Sequence, residues 1–272
     1  MGVALLLAMI FASGAAHADG PLVLGVDHTP IVVGDLEKAQ EDFRAMGFVI
    51  KPGRFHADGI RNAHVKFPDG TELELITAPA ATDALTREYH AKQSHGDGPV
   101  YFGLKAADLA RLKPRIAALG APVRVEGGAL TFPIGDPRHA LFFGLGGRAP
   151  TDRPAHFAHE NGGLRLSGFW VRGNREQREL LSGLGVPFYG ARACGPMGDA
   201  DVAAMPRGEV MFVRGGPQDG TAIGARIAVR SLAVAQAVMK KNGLHPQIHD
   251  GCGLWLPPSM AHGIWLQFVE RR

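Results

Sequence analysis

Imidazole and carboxylate side chains on short predicted strands are the groups of this chain best suited to chemistry. His28 follows an apolar run, and the segment 71–77 (TELELIT) alternates polar and apolar residues. This alternation places Glu72 and Glu74 on one face of a strand and the intervening leucines on the other. Imidazole and carboxylate groups are ligands for zinc, nickel, iron and manganese. A metal held by such groups can polarise two adjacent oxygens of a small molecule.

Four similar segments follow one another along the chain and would position these groups. Each has an apolar strand, a short turn, an amphipathic helix, a glycine and another strand, and a closing strand follows. The helix-ending glycines recur at intervals of 58 to 73 residues, which is room for one helix and about four strands. The pattern predicts an α+β fold of repeated βαβββ modules. The four segments begin at Gly25, Gly98, Gly162 and Thr221.

The predicted helices have apolar stripes and capping residues. In the first helix, Leu36, Ala39 and Phe43 recur on one face. Pro114 interrupts the second helix, which is expected to start late or to bend there. Each helix is preceded by a residue that can accept a hydrogen bond from an early helical N–H, as an N-cap does. These residues are Asp35, Asp108, Asn174 and Ser231.

Motifs in the first module resemble those of a known superfamily. They are residues 26–28 (VDH), 33–36 (VGDL), 47–48 (GF), 59–63 (GIRNA), 67–70 (FPDG) and 72–76 (ELELI). On these motifs, residues 25–78 resemble the glyoxalase-like branch of the vicinal-oxygen-chelate superfamily, which has the glyoxalase, bleomycin-resistance and extradiol dioxygenase fold. The resemblance implies that βαβββ modules pair and form curled mixed sheets around a cavity.

Four modules imply two pairs. The first pair is expected over residues 19–150, with modules at about 24–79 and 98–147. The second pair is expected over residues 151–272, with modules at about 162–216 and 221–270. A stretch rich in proline and glycine, residues 146–163, lies at the boundary. Pairing within one chain suffices for this fold, so the sequence is compatible with a monomer or a homodimer.

The resemblance also implies a metal site. In this superfamily a divalent metal is commonly held by residues on the first and last strands of each module. His28 and Glu74 match these positions in the first module, which implies that they bind zinc, nickel, iron or manganese. The residues at the matching positions of the other modules differ: Tyr101 and Phe143 in the second, Ser167 in the third and Gln267 in the fourth.

Five residues are candidates for catalysis or substrate binding. Glu74 and Tyr101 are the candidate catalytic residues, with Tyr101 as a ligand, a general acid or a core tyrosine whose hydroxyl is bonded. Asn62, His159 and Gln267 are the candidates for substrate binding. Asn62 could donate to a substrate oxygen or stabilise a turn, and His159 precedes a turn that leads into a predicted cavity strand.

Two functions follow from the resemblance. The first is a metal-assisted lyase, isomerase or dioxygenase that acts on a small molecule with vicinal oxygens. The second is a non-catalytic protein that binds or sequesters a small molecule and has a degenerate metal site. A nucleotide cofactor is not expected, because neither a phosphate-binding loop nor a dinucleotide-binding signature is present.

Composition indicates a globular protein, and the first residues indicate export. Hydrophobic residues make up 46% of the 272 residues and charged residues 20%, and the net charge is only +3. No basic stripe suggests a nucleic-acid partner.

Residues 3–12 are apolar but too short to span a bilayer, and residues 16–18 (AHA) fit a cleavage site. We therefore predict a signal peptide over residues 1–18 and a periplasmic or secreted protein without a membrane span.

The chain has two cysteines, Cys194 and Cys252. An oxidising compartment would allow a disulfide between them. Two buried thiols are equally compatible with the sequence.

Overall fold

The computed structural model describes residues 20–56, 58–192 and 194–271. The predicted signal peptide lies outside these residues. Five α-helices occur among them: α1 (Leu36–Ala45), α2 (Ala84–Ser94), α3 (Leu109–Ala118), α4 (Arg175–Gly183) and α5 (Leu232–Lys241). None of the described helices combines the length and the apolar character needed to cross a membrane.

The described strands lie before, between and after these helices. The first half of the chain has β1 (Val23–Val26), β2 (His28–Val32), β3 (Lys51–Phe55), β4 (Arg61–Lys66), β5 (Glu72–Thr77), β6 (Gly98–Pro99), β7 (Phe102–Ala106), β8 (Arg124–Glu126), β9 (Ala129–Thr131) and β10 (Leu141–Gly144). The second half has β11 (Gly163–Val171), β12 (Phe188–Ala191), β13 (Ala200–Met205), β14 (Gly208–Val213), β15 (Ala222–Val229), β16 (Gln247–His249), β17 (Gly253–Leu256) and β18 (Trp265–Glu270).

The helix caps are confirmed. The side chains of Asp35, Asp108, Asn174 and Ser231 each accept a hydrogen bond from a backbone N–H in the first turn of the following helix. Helix α3 begins directly after its cap and includes Pro114, so it does not start late. Helix α2 was not predicted. It buries only Thr86 and Tyr89, and its apolar stripe is correspondingly weak.

The second half forms one continuous eight-stranded sheet in the order β12-β13-β14-β11-β15-β18-β17-β16. The first strands of its two modules, β11 and β15, are antiparallel neighbours at the centre. Each closing strand, β14 or β18, runs parallel to the first strand of its own module. The third and fourth modules therefore pair through their first strands.

The first half has the same arrangement with a break at its centre. One five-stranded sheet has the order β3-β4-β5-β2-β6 and the other β1-β7-β10-β9-β8. Only Asp27 separates β1 from β2, and only residues 100–101 separate β6 from β7. Because β1 pairs with β7 and β2 with β6, both antiparallel, the first two modules also meet through their first strands. The fold is therefore the α+β arrangement of paired βαβββ modules.

Both halves contribute to one hydrophobic core, on the side of the sheets that carries α1, α3, α4 and α5. On β5, Leu73 and Leu75 are buried in this core, whereas Glu72 and Glu74 are partly exposed on the opposite face. We call this opposite face of each half its open face. The halves also meet at Gly25, where an added Cβ would lie 2.0 Å from the carbonyl oxygen of Arg207. Only glycine allows this approach.

A disulfide joins Cys194 to Cys252 in the second half. Cys194 precedes a short 3-10 turn, Gly195–Met197, and Cys252 lies in the turn between β16 and β17. The bond therefore connects the two modules of this half.

Candidate functional site

The open face of the first half carries a cluster of charged and polar side chains on three adjacent strands. We call it the β2–β4–β5 cluster. Its members are His28 on β2, Asn62, His64 and Lys66 on β4, and Glu72 and Glu74 on β5. They share one face because side chains alternate along a strand and the register places His28 and Lys66 opposite Glu72, and His64 opposite Glu74.

Glu72 is an ionised carboxylate held by its neighbours. The ammonium group of Lys66 forms an ion pair with it, and Nδ1 of His64 lies 3.4 Å from its Oε2. Burial would raise the pKa of Glu72, but the contact with His64 and the charges of His28, His64 and Lys66 lower it to about 2. Glu72 therefore stays charged at any ordinary pH.

Glu74 is positioned by a single cross-strand contact. The amide nitrogen Nδ2 of Asn62 donates to Oε1 of Glu74 over 2.6 Å. The other end of the amide, Oδ1, accepts from the backbone N–H of Arg54. A Cβ on Gly53 would lie 2.0 Å from this oxygen, so glycine is required beside it. Asn62 thus fixes the carboxylate of Glu74 and leaves its Oε2 available to a substrate.

His28 is a partly buried imidazolium. Its side chain is 26% exposed, and its Nδ1 lies 3.4 Å from Oδ2 of Asp27. Burial by itself would lower the pKa of this imidazole. The hydrogen bond and charge of Asp27 outweigh that effect, and the charges of Glu74 and Glu72 add to them, so the pKa rises to about 9. No described residue hydrogen-bonds the other ring nitrogen, Nε2, which leaves it free to donate.

Tyr101 belongs to a second cluster on the same face, under helix α2. Its hydroxyl donates to the carboxylate of Glu88. Nε2 of His139 also lies 2.7 Å from that carboxylate, and Nδ1 donates to the backbone oxygen of Phe132. Burial raises the pKa of Tyr101, and Glu88 raises it further, so the phenol is neutral. Tyr101 is therefore a bonded phenol whose proton is already committed to Glu88.

The arrangement does not fit a bound divalent metal. Within the described ranges, no group of three His, Cys, Asp or Glu side chains is arranged to hold one. Nδ1 of His28 faces Asp27, and the ammonium group of Lys66 forms an ion pair with Glu72. These atoms are therefore already used by contacts within the protein. His28 and Glu74, the two ligands implied by the resemblance, are on the same face, and one atom of each has a partner within the protein.

Phe143 is not on the open face, which corrects the position assigned to it by counting along the chain. Its ring is fully buried in the core against Phe132. The neighbouring Phe142 lies against His28 instead, edge to face at 4.9 Å between ring centroids. A shift of one residue along a strand moves a side chain to the other face, and this is the error in the count.

The structure places His159 away from both clusters. Its side chain packs against Phe48 and Phe67, and both ring nitrogens are bonded to backbone groups. Nδ1 accepts from the N–H of Val49, and Nε2 donates to the carbonyl of Lys66. Burial lowers the pKa of His159 to about 4, so the ring is neutral. His159 joins the start of the second half to the first module.

Gln267 lies on the open face of the second half, but it is buried and bonded within the protein. Its Oε1 accepts from the indole N–H of Trp170 over 2.8 Å. Its Nε2 donates to the carbonyl of Cys252 and lies 3.5 Å from Sγ of Cys194. Gln267 therefore supports the disulfide. Ser167, on the same face, donates to the backbone oxygen of Arg226.

We expect the variant His159→Leu to lower the free energy of unfolding by about 2 to 4 kcal/mol at pH 7, because the N–H of Val49 and the carbonyl of Lys66 would lose their partners. The deficit should shrink between pH 6.5 and pH 4. In that interval the unfolded wild type binds a proton at this ring and the folded form does not, so the wild type loses this contribution as the pH falls. Urea unfolding at several pH values measures both effects.

The control for this prediction is His245→Leu, because His245 is exposed. Equal stability of the two variants at pH 7 would show that the bonds of His159 contribute nothing.

Comparison with known proteins agrees with this architecture. A family model described as a glyoxalase-like domain matches residues 26–183. A search of curated protein sequences finds no match. Among solved structures, the 2,3-dioxygenase LapB from Pseudomonas sp. KL28 is 18% identical, with 92% of this chain and 93% of that chain covered and a TM-score of 0.63. A catechol 2,3-dioxygenase is 15% identical, with 92% and 93% covered and a TM-score of 0.61.

A longer protein also has a similar structure. It is a fusion of a xylose isomerase-like TIM barrel with a 4-hydroxyphenylpyruvate dioxygenase, and it is 9% identical with a TM-score of 0.63. The similarity covers 93% of this chain but 49% of the fusion protein, so the chain spans about half of that length. At these identities the likeness establishes the fold alone.

Proposed function

The chain belongs to the glyoxalase-like domain family, and from that premise we propose that it is an enzyme of the lyase or isomerase type. Its substrate is a small molecule with two adjacent oxygens, and its active site is the β2–β4–β5 cluster. The observation that carries this proposal is the pairing of a positioned carboxylate, Glu74, with an imidazolium, His28, on one partly exposed face. A base beside a cationic hydrogen-bond donor can remove a proton from the carbon next to a carbonyl group.

The proposed reaction uses Glu74 as the base. Its carboxylate takes a proton from the carbon next to the substrate carbonyl. The electron pair of the broken C–H bond forms a C=C bond, and the carbonyl oxygen becomes an enolate oxygen. Nε2–H of His28 donates to that oxygen and stabilises its negative charge. In a substrate whose deprotonated carbon carries a hydroxyl group, Nε2–H of His28 gives its proton to the enolate oxygen and takes the hydroxyl proton in return. The electron pair of the C=C bond then takes the proton from Glu74 at the former carbonyl carbon, the hydroxyl oxygen becomes the new carbonyl oxygen, and the isomerisation is complete.

The other polar residues have supporting roles in this proposal. Asn62 is a positioning residue, because its amide orients Glu74. Asp27 keeps His28 protonated, and His64, His28 and Lys66 keep Glu72 ionised beside it. Glu88 accepts the hydrogen bond of Tyr101 during the whole reaction. Tyr101 therefore helps to bind the substrate or to shape the site, and it does not transfer a proton.

A deuterium-exchange screen tests the proposal. Probes with adjacent oxygens, such as hydroxyacetone, dihydroxyacetone and 2-oxoacids, are incubated with the purified protein in D2O, and proton NMR follows the C–H signals. The proposal expects at least one probe to exchange faster than in buffer. No accelerated exchange across the panel, although probes bind to the first half, would favour a non-catalytic binding protein.

We also propose that the protein is exported to the periplasm or secreted. The apolar residues 3–12 and the AHA motif at 16–18 support this, and so does the disulfide, because such bonds persist in oxidising compartments. N-terminal sequencing of protein from fractionated cells should find a chain that starts at Asp19 outside the cytoplasm. A chain that keeps its first residues and stays in the cytoplasm would contradict export.

A further inference from the structure

The open face of the second half forms a cleft of about 1180 Å³ that the proposed reaction does not use. Strands β11, β14, β15 and β18 line it, together with the start of α5 and the turn between β16 and β17. Small or apolar side chains, Ala228 and Val269, lie among polar ones. The disulfide fixes two of the lining segments, because Cys194 and the residues on either side of Cys252 all face the cleft.

Arg226 lines this cleft and carries an unsatisfied donor. Its Nη2 forms an ion pair with Glu209, which also accepts from the hydroxyl of Tyr189 over 2.7 Å. Its Nε is buried and has no hydrogen-bond partner among the described residues. A buried N–H without an acceptor is costly, and a shift of the partly exposed guanidinium group onto a bound anion would remove that cost.

A second nitrogen in the same cleft is in the same condition. Nε2 of His249, on β16, is buried and has no described hydrogen-bond partner. Arg226 and His249 thus both line the cleft and both have hydrogen-bonding capacity that no described residue uses.

Arg165 adds a second guanidinium group to the cleft. It lies on β11, the strand next to that of Arg226, and its side chain is exposed. No acidic side chain of the described residues forms an ion pair with it. Asp250 and Glu270 also line the cleft, so the attraction comes from directed N–H groups rather than from a large net charge. Guanidinium groups match the geometry of carboxylate and phosphate oxygens.

From these contacts we propose that the second half is a separate binding site for a small molecule with a carboxylate or phosphate group. Arg226 and Arg165 bind the anionic group, and His249 contacts a second polar atom of the ligand. The first half transfers protons, and the second half recognises an anion. The chain would thus hold two different sites on one repeated architecture.

Calorimetric titration of the full mature chain tests this site. The probes are succinate, inorganic phosphate and the neutral succinamide, at low ionic strength. We expect at least one anion to bind with a Kd of about 1 mM or tighter, and succinamide to bind more weakly. Binding of succinate alone identifies a carboxylate site, and binding of phosphate alone identifies a phosphate site. No binding of either anion overturns the proposal.

Four variants locate the binding. Arg165→Gln and Arg226→Gln should each weaken it about 10-fold or more, because each loses a charge-assisted hydrogen bond. Glu209→Gln should tighten it, since Arg226 then has no competing carboxylate, and a purely structural role of Glu209 would not have this effect. Arg175→Gln is the control, because Arg175 is 77% exposed on α4 and outside the cleft. Equal affinities in all four variants would overturn the proposal.

Discussion

Replacement of Glu74 by glutamine should lower the rate of substrate proton exchange by about 100-fold or more, the usual contribution of a general base. An amide cannot take up the proton. The fold should survive, because the oxygen of the new amide can still accept from Nδ2 of Asn62, as Oε1 of Glu74 does. The loss should therefore appear in kcat with little change in the midpoint of thermal unfolding.

The matched control for Glu74→Gln is Glu41→Gln, an exposed position on α1. It removes the same charge from a helix on the core side of the sheet. Exchange by the control should equal that of the wild type. A Glu74→Gln protein that keeps more than a tenth of the wild-type rate would show that another group is the base, and Glu72 would be the next candidate.

Removal of the disulfide should lower the free energy of unfolding by about 4 kcal/mol in the double variant Cys194→Ser, Cys252→Ser. The bond closes a loop with a sequence separation of 58, and the entropy that it removes from the unfolded chain gives this magnitude. For a chain of this size the midpoint of thermal unfolding should fall by roughly 10 °C. Gln267 would also lose the fixed positions of Cys194 and the carbonyl of Cys252.

A reductant provides the control for the disulfide. Dithiothreitol should destabilise the wild type to the level of the double variant and leave the double variant unchanged. The prediction would be contradicted if the reductant left the thermal midpoint of the wild type unchanged although both thiols were shown to be free.

Four of the helices, and the face on which each side chain of β5 lies, could be predicted because they depend on local patterns. Periodic apolar residues and capping side chains identified α1, α3, α4 and α5, and alternation placed Glu72 and Glu74 on one face. Helix α2 could not be predicted from an apolar stripe, because it buries only two residues. Its Glu88, which bonds Tyr101 and His139, was missed with it.

The roles of individual site residues depend on contacts between distant parts of the chain, and a single sequence does not contain them. Asn62 and Glu74 meet only because β4 and β5 are paired in one register. His159 lies in a turn, where the local sequence does not predict which way a side chain points. Packing between the halves turns its ring towards Phe48 and Phe67. The motif placed His28 on a first strand, and the structure pairs it there with Glu72, but its ion pair with Asp27 is a property of the folded chain.

The central claim is that side chains of the first half, rather than a bound metal, activate the substrate. The most direct test measures metal content and proton exchange on one sample of protein, purified without nickel affinity and dialysed against chelator. We predict full exchange activity with far less than one metal ion per chain. Near-stoichiometric zinc, nickel, iron or manganese in the untreated protein, lost together with activity in chelator and absent from the His28→Ala variant, would contradict the claim and establish a metal site instead.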